Sequence, residues 1–218
     1  MTNVIGGGIM QSGQSTTGAS PFGSWQRPPI LDKLKTETDS RHIKLQQNPI
    51  FNGLLGKNPP LDKYRILLEK FLGFYAPIEE KLVTRPEWQA SGFNFNERRK
   101  AHLIKKDLAH MGTVAQDVPR CDNLPTIESF EQALGCLYVL EGATLGAQQM
   151  ARNFKGERNM DENNGCAFLK CYGEGMSVGM KFKAFADFLG ANYARARENE
   201  VIEAAKETFD KLDLWLSN

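Results

Sequence analysis

Within LGCLYVLEGATLGAQQM, residues 134–150, Gly135, Gly142 and Gly146 interrupt an otherwise strong helix-forming run. Their spacings of seven and four residues place them within about 40° of one another around a helix, so one face carries no side chains. Each glycine costs about 1 kcal/mol relative to alanine in a helix interior, and a bare stripe implies that something approaches the backbone closely. That occupant is either a neighbouring helix or a flat ligand.

A second segment bears on the choice. In LDKLKTETDSRHIKLQQNP, residues 31–49, Leu31, Leu34, Thr38, His42 and Leu45 recur at helical spacing, and Pro49 closes the run. His42 therefore points where the apolar residues point, which for a lone histidine is ordinarily a core position. Lys35 stands seven residues earlier, nearly eclipsed and about 10 Å along the axis. An imidazole able to ligate a metal, with a cation that far away, matches the iron and the propionate edge of a haem. Together the two segments describe a slot for a planar, anionic macrocycle.

The run LKTETDSRH, with His42 last, resembles the proximal helix of haem oxygenases. LYVLEGATLG resembles the distal helix of the bacterial branch of that family, which includes enzymes that supply biliverdin to phytochromes, and VIEAAKETFDKLDLWL is similar to its last core helix. The resemblance covers about residues 30–217. It implies an all-α, haem oxygenase-like multi-helix bundle with haem between a proximal and a distal helix. The implied activity is cleavage of haem with O2 and electrons to biliverdin, CO and ferrous iron, haem being both substrate and cofactor. The implied partners are an electron donor such as ferredoxin or a reductase, and a phytochrome that receives biliverdin.

The same resemblance assigns roles. His42 is the implied metal ligand, with Gln46 one turn later, where many relatives carry a glutamate. Gly142 and Gly146 lie over the ligand, and Gly135 belongs to the same bare stripe. Lys35 and Lys183 are directed at the propionates, although Asp187 follows Lys183 where a second cation often stands; Tyr138 and Phe209 line the pocket. The mammalian-type aspartate after the first distal glycine is Ala143 here, so proton delivery falls to the Thr144 hydroxyl or a carbonyl. Ala143 also favours an alternative, a haem-binding carrier or sensor without turnover. A thiaminase-like hydrolase on the same scaffold would instead need a cysteine such as Cys136 beside paired carboxylates.

At 218 residues and 41% hydrophobic content the chain can bury one sizeable core, and a net charge of +1 argues against a general nucleic-acid binder. Arg98, Arg99, Lys100, Lys105 and Lys106 read as the solvated face of an amphipathic helix, or as a docking patch for an acidic electron donor. Cys121, Cys136, Cys166 and Cys171 form no CxxC pair and read as reduced thiols of a cytoplasmic protein. Residues 1–29, rich in Gly, Ser, Thr and Gln, read as a flexible tail before a domain spanning 30–218, and no apolar run is long enough to span a membrane. Helices are expected over 62–83, kinked or ended by Pro77, and over 96–111, 127–152 with Thr126 as N-cap, 174–190 and 199–216. Strand-type alternation is absent.

Overall fold

The computed structural model describes residues 25–173 and 176–218. Most of the flexible-tail assignment, residues 1–24, lies outside the described residues; Trp25–Pro28 run against the helix bundle. Among the described residues there is no β-strand, and seven helices form the fold: α1 (Pro29–Gln46), α2 (Leu61–Val83), α3 (Glu87–Ala90), α4 (Ala101–His110), α5 (Phe130–Arg158), α6 (Met176–Asn192) and α7 (Glu198–Ser217). The all-α architecture is as the sequence leads one to expect. No described helix is long and apolar enough to cross a membrane.

Helix α7 is the mast of the bundle, with α5 and α1 packed along it and α2 packed on α4. A row of ion pairs sets the register of α1 on α7: Lys33–Glu198, Glu37–Lys206 at 2.8 Å, Arg41–Asp210 at 2.9 Å and Lys44–Asp213 at 2.8 Å. Each exposed pair contributes little stability alone, but the ascending order on both helices fixes them in a parallel sense. Asn48 locks the end of α1 by donating to the Asp213 carboxylate at 2.9 Å.

Pro77 neither ends nor breaks α2. Proline has no N–H to give the carbonyl four residues back, at Gly73. That carbonyl instead accepts the N–H of Cys121 at 3.0 Å. The 119–121 loop can reach it because Gly73 has no side chain: a Cβ there would run into the Pro119 carbonyl oxygen and lie 2.7 Å from the Trp215 ring.

Helix α5 is capped by Ser129 rather than by Thr126. The Ser129 hydroxyl accepts from the Gln132 N–H at 3.2 Å while the Gln132 side chain accepts from the Ser129 N–H at 3.1 Å, a reciprocal cap that leaves Thr126 to pair with Glu207.

The expected helix over 96–111 is broken. A 3-10 turn ends at Arg98, Arg99 is extended, and α4 starts only at Ala101. Glu79 of α2 caps the new start, accepting from the N–H of Lys100 at 2.5 Å and of Ala101 at 3.1 Å. This break turns Arg98 and Lys100 inward, to 7% and 1% exposure, so they are not part of a solvated face or a docking patch. Lys105 and Lys106 remain exposed.

The apolar interior has two parts. The main core runs through Tyr64, Phe74, Tyr75, Phe154 and Phe185. A smaller cluster of Leu31, Phe182 and Ala186 joins α1 to α6, flanked by Trp25, Tyr138 and Leu145. Tyr138 touches both clusters.

Candidate functional site

His42 sits half-buried on the inward side of α1, beside α7. Its ring meets Phe209 edge-on, with centroids 6.0 Å apart and planes at 64°, which follows directly from the α1–α7 register. Burial lowers its pKa below 6.5 against a weaker opposing pull from Asp39, so the imidazole is neutral at pH 7. Gln46, one turn later, brings its amide nitrogen to 3.4 Å from His42 Nε2. An amide nitrogen can only donate, so in this pairing Nε2 is the accepting nitrogen of a neutral ring.

Glu131 of α5 pairs with Arg197 just before α7, Gly135 lies against Val201 and Ala204, and Cys136 reaches Thr208, so α5 too ascends in the sense of α7 where they touch. Between α1 and α5 the Tyr138 phenol lies within hydrogen-bonding reach of the Thr38 hydroxyl, which itself donates to the Leu34 carbonyl at 2.7 Å. His42 stands one turn after Thr38 and Gly142 one turn after Tyr138. Because both helices follow α7, the imidazole and the first distal glycine lie toward the same end of that contact.

The glycine stripe divides in two. Gly135 is filled by protein: a Cβ there would collide with the Val201 carbonyl oxygen and lie 2.9 Å from the Ala204 methyl. It therefore serves the crossing of α5 over α7 and is not a ligand-binding residue, contrary to the expectation from the stripe. At Gly142 and Gly146 a Cβ would meet nothing within 4 Å. The same face that is closed by α7 at its base is open two and three turns later.

Thr144 is turned away from that opening. Two residues along a helix is 200°, so Thr144 lies nearly opposite the glycine face. It is buried, and its hydroxyl donates to the Glu141 carbonyl at 2.7 Å. It does not reach the slot and leaves the catalytic set. Lys35 is half-buried on α1, one turn before Thr38 on the His42 side of the helix. Lys183 is already engaged, its ammonium 2.6 Å from Asp187 and 5.1 Å above the Trp25 ring, while Trp25 Nε1 donates to the same carboxylate at 2.6 Å. Cys136 is fully buried and its thiol is pushed up to about 12, as for a packed rather than a reactive cysteine.

The open backbone at Gly142 and Gly146 and the neutral, half-buried imidazole of His42 lie toward the same end of the α1–α5 contact. A model of the family described as Heme oxygenase matches residues 29–217. The chain belongs to the haem oxygenase family. Membership carries haem as the substrate and its cleavage to biliverdin, CO and ferrous iron, with electrons from a reductase or ferredoxin. Among solved structures, the chain is similar to the NO- and CO-bound heme oxygenase from Neisseria meningitidis, with 20% identity and a TM-score of 0.70 over 86% of this chain and 89% of that one. It is similar also to the heme oxygenase from Leptospira interrogans, at 16% identity and a TM-score of 0.69 over 86% and 98% of the two chains. A third is heme oxygenase-2 from Synechocystis, solved with heme and NO, at 16% identity and a TM-score of 0.70 over 86% and 83%. At these identities the likeness is one of fold. No curated protein matches the chain in sequence.

The haem oxygenase fold here encloses a charged cluster that the spacing of the sequence does not reveal. Glu141, the residue before Gly142, is wholly buried and accepts from Arg98 at 3.0 Å, Lys100 at 2.6 Å and the Tyr172 hydroxyl at 2.8 Å. The one available signal is a carboxylate inside the apolar run LYVLEGATLG.

Proposed function

We propose that His42 is the proximal ligand of the haem this chain degrades, and that Gly142 and Gly146 form the distal wall. The observation that carries this reading is the opposition between Gly135, whose missing side chain is replaced by α7, and Gly142 and Gly146, whose missing side chains are replaced by nothing within 4 Å. Haem, when bound, supplies the iron at which O2 is reduced and the meso carbon that is oxidised.

The chain's own residues bind, orient and shield. His42 would ligate as a neutral imidazole once the Gln46 amide, which donates to Nε2 in the haem-free chain, releases that nitrogen. Phe209 and Tyr138 supply the apolar walls that keep bulk water from the slot. Tyr138 keeps its proton, since burial raises the phenol's pKa against a smaller opposing effect of Thr38. Lys35 and Lys183 supply cations for the propionates, Lys183 only as Asp187 releases it. The bare α5 face offers no acidic side chain, so protons come through water held by backbone groups, the role that Ala143 cannot take.

Two features of the setting belong to the same proposal. The four free cysteines support a reducing, cytoplasmic location. Exposed Lys105 and Lys106 support electron delivery by an acidic ferredoxin, and the distal motif supports a phytochrome as the receiver of biliverdin. Replacement of His42 by alanine tests the ligand directly. His42→Ala is expected to lose tight haemin binding and to regain it in millimolar imidazole; a variant that binds and cleaves haem unaided would overturn the assignment.

A further inference from the structure

Glu141 is the most completely enclosed carboxylate on α5, and it stands one residue before the open glycine face. Its Oε1 accepts from Lys100 at 2.6 Å and from Tyr172 at 2.8 Å, and its Oε2 from Arg98 at 3.0 Å. The donors come from two stretches of chain, Arg98 and Lys100 from the connection into α4 and Tyr172 from the segment leading to α6. Arg98 closes the 3-10 turn before α4 and also donates to the Lys181 carbonyl of α6 at 2.9 Å. Lys100 precedes α4, and its ammonium donates also to the Arg98 carbonyl at 2.9 Å. Tyr172 lies in the segment leading to α6, its ring 5.7 Å from the Arg98 guanidinium and 5.2 Å from the Lys100 ammonium. Glu79 of α2 holds the same corner through the Lys100 and Ala101 N–H groups.

A buried ionic set is a poor source of stability, because apolar side chains of the same volume fill such a space at least as well. What it supplies is one specific arrangement. Here that arrangement fixes α5 at the residue whose Cα is 3.8 Å from that of Gly142. The need for it is local: Gly142 and Gly146 have no side chains to pack, and glycine weakens a helix interior more than any residue but proline. Glu141 lies about 100° round the helix from Gly142, so the brace grips α5 from the flank and leaves the glycine face clear.

We propose that Glu141 is a positioning residue for haem cleavage: gripped by Arg98, Lys100 and Tyr172, it sets how closely the Gly142–Gly146 backbone approaches the bound macrocycle. This rests on the reading of that face as the distal wall. The brace acts through the backbone and touches neither substrate nor ligand.

The test uses the full-length protein loaded with haem, reduced, and exposed to carbon monoxide as an infrared probe of the distal wall. Wild type is expected to show one narrow C–O stretch. Glu141→Gln keeps the shape and removes the charge, and Tyr172→Phe removes one donor and keeps the ring. Both are expected to bind haemin within about threefold of wild type, since His42 is untouched, but to broaden or split the C–O band. Biliverdin formation falls about tenfold in Glu141→Gln and less in Tyr172→Phe, through kcat with KM unchanged, as expected for a sub-ångström loss of placement. If Glu141→Gln does not fold, Tyr172→Phe decides the matter.

A fourfold apolar variant, Arg98→Met, Lys100→Met, Glu141→Leu and Tyr172→Phe, separates placement from packing. It is expected to melt near wild type yet retain the split band and slow turnover. Wild-type bands and rates in these variants would overturn the brace alone. A wild-type protein that takes up no haemin would overturn the brace and the distal-wall reading together.

Discussion

Alanine substitution at the three glycines of α5 should have opposite effects on the haem-free protein. At Gly142 and Gly146 a new Cβ meets no atom within 4 Å, so no contact is disturbed and only the backbone-entropy gain remains. That gain is about 1 kcal/mol per site, equivalent to a rise in Tm of about 2–4 °C for a chain of this size. At Gly135 the Cβ collides with the Val201 carbonyl and lies 2.9 Å from the Ala204 methyl and 3.0 Å from the Ala205 nitrogen. Two of those three atoms belong to the α7 backbone, which can yield only by moving the helix, so Gly135→Ala should cost about 1–3 kcal/mol. Haem reverses the order. Methyl groups at 142 and 146 enter the slot and are expected to weaken haemin binding or slow its cleavage about tenfold, a loss of about 1.4 kcal/mol. Folded Gly135→Ala should bind haemin as wild type does. Scanning calorimetry of the haem-free variants, with haemin titrations beside it, measures both effects. A fall in Tm for Gly142→Ala and Gly146→Ala matching that of Gly135→Ala would refute the division of the stripe, because all three would then be packing glycines.

Other consequences concern charge. Burial holds the His42 pKa below 6.5, and only the unprotonated ring can ligate, so haemin affinity should stay level as pH falls to 6.5 and decline only below it; a half-loss above pH 6.5 in a spectroscopic titration contradicts the placement. Burial alone would raise the Asp213 carboxyl, but Asn48 and Lys44 bring it below 3.8. Its stabilisation of the α1–α7 register is therefore present above about pH 4 and lost as pH falls through the lowered value. Asp213→Asn should accordingly flatten the acid side of a stability–pH curve, and an unchanged curve would sink that reasoning. Asp187→Asn removes an exposed pair worth about 0.4 kcal/mol, freeing Lys183 and raising haemin affinity about twofold, with Trp25 fluorescence as an independent readout. Weaker binding in that variant would mean that Lys183 does not meet a propionate.

The helices of the slot were legible because α1 and α5 carry strong local signals: the Leu31–Leu34–Thr38–His42 face and the glycine run. The different duties of Gly135, Gly142 and Gly146 were not, since the three are identical in type and face, and only the position of α7 distinguishes them. Thr144 was a matter of angle: proximity in sequence to Gly142 placed it in the site, and 200° of helix took it out. Arg98 and Lys100 were misplaced because a continuous helix over 96–111 would expose them, whereas Glu79, distant in sequence, caps a later start and turns them inward. The Ser129 cap was readable, since Gln132 three residues on completes the reciprocal pair that Thr126 lacks.

The most direct test of the account is a haemin titration of the purified protein followed spectrally, with ascorbate or a ferredoxin system then added in air. The account predicts a saturable Soret band near one equivalent that decays into the broad red absorption of biliverdin, and the loss of both in His42→Ala. A band that forms and persists under reductant and air, or one indifferent to His42, would contradict it.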